Sequence, residues 1–156
     1  MPTSNRETLL AGMAAAFAGI APPDYNQTMS AAKVLRYPSK PPTEILDMHC
    51  NLAPYYLILD GEEEVPEIEL GGITQWWMRP HVIAILDPDA TTPSTTMNAM
   101  IFDAKRLVAR TRRWGLSNIV LETRLLRVTQ LTELWKPYSG FDVALKVRYQ
   151  SDDDTP

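Results

Sequence analysis

The spacing of hydrophobic positions along this chain switches between the period of a helix and that of a strand. Leu9, Leu10, Met13, Phe17 and Ile20 share one helical face, with alanines filling the turns between them. Ser4-x-x-Glu7 just ahead of them is a helix capping box, so the spacing predicts a packed N-terminal helix. Pro22, Pro23, Pro38, Pro41 and Pro42 then forbid a continuous helix across Ala21 to Pro54 and leave room only for a short strand near Lys33 to Tyr37. Tyr55-Tyr56-Leu57-Ile58-Leu59, aromatic and branched, predicts a strand. Asp60-Gly61 predicts a turn after it, followed by an acidic loop through Glu64 and Pro66. A second extended region spans about Ile73 to Leu86, between Gly71-Gly72 and Asp87-Pro88-Asp89. Pro80 inside it predicts a bulge or an edge.

Beyond a polar loop from Thr91 to Thr96, Met97, Met100, Ile101, Ala104, Leu107, Val108 and Thr111 recur at i, i+3, i+4 and i+7. This is the strongest helical signal in the chain, and Trp114-Gly115 ends it. Two strands follow, about Ile119 to Val128 and Phe141 to Tyr149. In the latter, Phe141, Val143, Leu145, Val147 and Tyr149 point inward, and Asp142, Lys146, Arg148 and Gln150 outward. Tyr55–Leu59 and Val82–Leu86 are apolar in both alternating sets. Such strands are covered on both faces, or on one face by a neighbouring subunit. The expected order is α–β–β–β–α–β–β: an α+β fold, with a mixed or antiparallel β-sheet, two helices packed on one face and a long β-hairpin arm. One domain is expected over residues 1–150, with an acidic tail at 151–156.

Composition narrows the classes. The chain has 156 residues, 45% of them hydrophobic, which is enough for one core and argues against intrinsic disorder. A single Cys excludes a disulfide scaffold. The net charge of −4 falls close to neutral without the run Asp152-Asp153-Asp154, and a dedicated nucleic-acid binder needs a basic excess. No stretch reaches the roughly 18 apolar residues of a membrane span. Leu9 to Ala21 superficially resembles a secretory signal, but Glu7 stands where a basic region belongs.

Candidate chemistry is sparse. His49 and Cys50 are adjacent, and neighbours on an extended chain point apart, so with His81 they make no structural-zinc set. Asp87 and Asp89 are the candidates for a divalent cation in a small metal-dependent enzyme, although Asp-Pro-Asp also serves as a strand-ending turn. Gly71-Gly72 lacks the Gly-Lys-Ser/Thr of a phosphate loop, and no nucleophile motif is present. No catalytic residue, metal or cofactor is assigned.

Charge is more informative. Asp60 to Glu69 holds Asp60, Glu62, Glu63, Glu64, Glu67 and Glu69 without a base. Ala104 to Leu121 holds Lys105, Arg106, Arg110, Arg112 and Arg113 without an acid. Acids at a hairpin tip and bases at a helix C-terminus have local uses, solubility and dipole compensation. They also offer two unlike patches for head-to-tail contact between subunits, the geometry that closes rings. Trp76 and Trp77 face opposite ways in a strand, which leaves one as a candidate interface anchor.

The arrangement resembles the tail terminator proteins of long-tailed bacteriophages, with the lambda-type minor tail protein fold, over about residues 4 to 150. It rests on the helix ending Phe17-Ala18-Gly19-Ile20, the strand Val34-Leu35-Arg36-Tyr37 and the run Tyr55-Tyr56-Leu57-Ile58-Leu59-Asp60-Gly61-Glu62-Glu63-Glu64. His81-Val82-Ile83-Ala84-Ile85-Leu86, the helix Asp103-Ala104-Lys105-Arg106-Leu107-Val108 and the strand Phe141 to Tyr149 complete it. The proline-rich Ala21 to Pro54 and the aromatic Gln75-Trp76-Trp77-Met78 depart from that pattern. The resemblance implies a non-enzymatic virion protein, assembled in the host cytoplasm into a homohexameric ring at the head-proximal end of the tail. Its implied partners are further copies of itself, the tail tube protein, a head or neck connector protein and the tail sheath, with DNA passing through unbound. A head-completion or neck connector role shares the same pattern. The acidic tail Asp152–Asp154 would then be a candidate lining for a DNA channel.

Overall fold

The computed structural model describes residues 4–36, 44, 52–70, 73–86, 93–131 and 139–152; of 65–70 and 152 it describes the backbone only. Helix α1 spans Asn5–Ala18, and the Ser4 side chain accepts a hydrogen bond from the Glu7 amide at 3.1 Å, as the capping box predicts. The Glu7 carboxylate does not return to Ser4. It takes a bidentate pair with Arg36, at 2.6 and 2.9 Å, which holds its pKa below the usual carboxylate range. Strands β1 (Val34–Arg36), β2 (Tyr55–Leu59), β3 (Glu63–Leu70), β4 (Ile73–Met78) and β5 (His81–Leu86) follow. Then come α2 (Pro93–Arg110), β6 (Val120–Leu131) and β7 (Ser139–Asp152). Helix α2 begins earlier than the hydrophobic periodicity shows, taking in residues of the expected loop Thr91 to Thr96; Pro93 is suited to a first helical position because its missing N–H is not needed there. Positive φ values at Trp114 (52°) and Gly115 (73°) follow the helix end.

These strands form one seven-stranded sheet, an α+β fold as expected. Its hydrogen-bonded order is β1-β2-β5-β7-β4-β3, with β6 on the other edge of β7. The β1–β2 pair is parallel and the rest are antiparallel. Strand β7 is long enough to pair with both β5 and β4, and the Leu145 amide donates to the Pro80 carbonyl across the break between them. Pro80 therefore interrupts the strand, as expected, without parting it from β7.

The expected acidic loop is instead strand β3. Asp60–Glu62 joins two strands lying against β5 and β4, so these acids fall in the middle of the pairing rather than at a hairpin tip. The Arg79 amide donates to the Glu62 carbonyl, which ties this junction to the next strand. Gly61 is required by close approach: a Cβ there would lie 1.5 Å from the Arg79 carbonyl oxygen. Gly71-Gly72 and Asp87-Pro88-Asp89 lie outside the described residues, as do His49, Cys50 and Asp153–Asp154. Strand β7 itself continues through Ser151 and Asp152.

Both helices pack on one face. Leu10, Met13 and Phe17 of α1, with Met100, Ala104 and Leu107 of α2, bury Tyr56, Val82, Phe141, Val143, Leu145 and Val147. Phe17 lies 4.9 Å from the Tyr56 ring and 6.2 Å from the Trp114 ring, centroid to centroid. Asp103 is fully buried on α2 and accepts from the backbone amides of Asn26 and Gln27 and the Asn26 side-chain amide, at 2.8–3.0 Å. It thus supplies partners that the irregular turn after α1 cannot find in regular structure. On the opposite face, Tyr55, Leu57, Ile83 and Ile85 form a second buried cluster with Leu35, Leu52, Ala53, Leu59 and Leu131. The two-sided apolar pattern of β2 and β5 is therefore covered within the chain.

Candidate functional site

The acidic stretch is bound up largely with its own chain. Arg6 lies 3.4 Å from Asp60 and 3.5 Å from Glu63, and the Tyr149 hydroxyl donates to Glu63 at 2.5 Å. Glu64 accepts from Lys146 at 2.9 Å and from Arg79. The Lys146 hydrogen bond holds Glu64 below the ordinary carboxylate range, whereas burial pushes Asp60 above it. Glu62 is exposed and makes no ion pair among the described residues. The side chains of Glu67 and Glu69 lie outside the description. Asp60, Glu63 and Glu64 of the acidic arm thus already have cationic partners within the chain.

The basic helix end divides in two. Arg110 bonds Asp24 at 3.0 Å, and Arg106 lies 3.8 Å from Asp24 and 5.9 Å above the Tyr25 ring, so these two fasten the turn after α1. Lys105, Arg112 and Arg113 make no ion pair among the described residues. With Arg124 of β6 they line a groove of about 500 Å³ whose apolar lining is Val108, Ala109, Leu121 and Leu125. One carboxylate enters it. Glu122 is bonded to Arg124 at 2.5 Å, lies 3.9 Å from Arg148 and is held below its ordinary pKa chiefly by the Arg124 hydrogen bond. The groove is thus cationic with a greasy floor, a surface that favours an anionic, partly apolar segment.

Arg124 escapes a reading based on runs of one charge, because it stands alone between Thr123 and Leu125. A signal is nonetheless present: Leu125-Leu126 between Arg124 and Arg127 breaks strict alternation. A bulge between Leu125 and Arg127 leaves Leu126 without a partner on β7. All four residues of Arg124–Arg127 are exposed, Leu126 by 49%.

Trp76 and Trp77 face opposite ways, as expected, but neither projects as an anchor. Trp76 packs against the helix-side core. Trp77 is 5% exposed, with the Lys146 ammonium 4.5 Å from its ring centre and the Arg124 and Arg148 guanidinium carbons 5.5 Å away. His81 bonds Asp142 at 2.9 Å, which raises its pKa above the ordinary value. Among the described residues no three His, Cys, Asp or Glu side chains gather as a metal site, and no helix is long and apolar enough to cross a membrane. The chain matches no protein-family model and no curated protein.

Proposed function

We propose that this chain is a structural assembly protein, a ring-forming terminator of a bacteriophage tail that caps the tube, stops its growth and joins the head or neck. The observation that carries the reading is the groove between α2 and β6. Lys105, Arg112 and Arg113 stand around an apolar floor and make no ion pair among the described residues, while neighbouring Arg106 and Arg110 are paired. Unpaired cations beside exposed leucines form a docking surface, and they lie across the sheet from the acidic strand. A head-to-tail ring needs two unlike surfaces of that kind on each subunit. The resemblance in the helix, hairpin and closing-strand segments supplies the tail context.

The test is tube growth. Purified tail tube protein is allowed to polymerise with and without the chain, and tube lengths are read by electron microscopy. Shortened tubes with the chain at one end are expected; unchanged lengths with no bound chain would overturn the capping role.

A further inference from the structure

We infer that copies of this chain join edge to edge, the acidic strand β3 of one copy adding to the basic strand β6 of the next, to give a sheet continuous across the subunit boundary. The inference rests on the ring-subunit reading above and names its contact. Strands β3 and β6 are opposite free edges of one sheet: each has a single strand neighbour among the described residues, β4 for β3 and β7 for β6. An unpaired edge offers a row of backbone donors and acceptors to an incoming strand.

Pairing registers place the two edges level with each other. Glu64 pairs with Trp77, Trp77 with Arg148, and Arg148 with Glu122; the next row runs Glu63, Met78, Val147, Thr123. The acids at 60–64 and the start of β6 therefore sit at the same height, at the two ends of a four-strand row. Directions also fit. The pairs β3–β4, β4–β7 and β7–β6 are all antiparallel, so β3 and β6 run opposite ways. Rotating a second copy about an axis along the strands preserves those directions and sets its β3 antiparallel to the first copy's β6. Such a contact is heterologous, and it closes into a ring when the rotation divides the circle.

Charge selects this pairing over others. Arg127 on β6, with Arg112 and Arg113 beside it, repels a second β6, and the exposed Glu62, with Glu67 and Glu69 following it in sequence, repels a second β3. Glu122, the acid on the basic edge, is already neutralised by Arg124 and Arg148. Pro66, which lacks an N–H, and the irregular register between Glu64 and Ile68 confine the pairing on β3 and guard it against indiscriminate strand addition. Exposed Leu125 and Leu126 supply the apolar area that the contact would cover.

The experiment uses the full chain and light scattering across a concentration series at low and high salt. R112E/R113E/R124E reverses one edge and E62K/E67K the other, with circular dichroism confirming that both variants fold. Wild type is expected to assemble, with salt weakening it by screening. Each variant alone should need at least about a tenfold higher concentration. An equimolar mixture, in which every contact again joins opposite charges, should recover assembly, and β6 amides should exchange more slowly in the assembly than in the monomer. A monomeric wild type, or a mixture that fails while both variants are folded, would overturn the edge pairing. A ring that survives both reversals overturns it too and leaves the capping role standing. Assembly through these edges by a chain that does not shorten tubes overturns the capping role instead.

Discussion

Strands β5 and β6 both pair with β7, yet their surroundings are opposite. In β5, Val82, Ala84 and Leu86 face the helices and Ile83 and Ile85 the second apolar cluster, so both sides of the strand are buried. In β6, Arg124 to Arg127 are exposed on both sides although the strand is twice as long. Backbone pairing does not set burial; what lies above and below each stretch of sheet does. The difference separates the molecule into an interior that stabilises the fold and an edge left available for association.

Truncating Ile85 to Ala should produce the largest effect, about 3 kcal/mol, because a fully buried branched side chain leaves a cavity when removed. Chemical denaturation reads this directly, and a loss under about 1 kcal/mol would show that the second face of β5 is loosely covered. His81 lies at the exposed end of the same strand and its bond to Asp142 is partly solvated, so His81→Gln should cost no more than about 1 kcal/mol. The Asp142 hydrogen bond, opposed by burial and by nearby Arg127, raises the folded-state pKa of His81. The stabilisation is accordingly complete below the ordinary value of about 6.5 and is lost as pH rises through the folded-state value. Denaturation midpoints of wild type and variant should converge on the alkaline side; a gap that widens there would contradict the ion pair. Leu126→Ala should be smallest, within about 0.5 kcal/mol for the isolated chain. A larger loss for the monomer would mean that β6 belongs to the interior after all.

Much of the fold is legible in residue order. Helical spacing at Leu9, Leu10, Met13 and Phe17, and again from Met97 to Val108, reports which face meets the sheet, because burial of one stripe is the condition for a surface helix to pack. The alternation of Phe141 to Tyr149 likewise marks β7's inner face, and Pro80 marks the break between β4 and β5. The acidic β3 is legible only as charge. Glutamates are poor strand formers, and what makes this segment a strand is its pairing with the next strand, β4, which the propensity of its own residues does not report. Asp60-Gly61 shows the same limit: the dipeptide has turn chemistry, but the glycine answers a steric demand from Arg79, which arises only when two strands are brought together.

The same division governs the candidate site. Sequence alone determines that acids and bases segregate into two runs, since that is a property of order. Which of those charges remain unpaired was decided by tertiary structure. Arg6, Arg79 and Lys146 come from three separate segments to pair with Asp60, Glu63 and Glu64, and Asp24 from a turn to hold Arg106 and Arg110. Arg124 joins Lys105, Arg112 and Arg113 because β6 passes beside the end of α2. Ion pairing falls off within a few ångströms, so it follows distances in space that a linear order of residues does not contain.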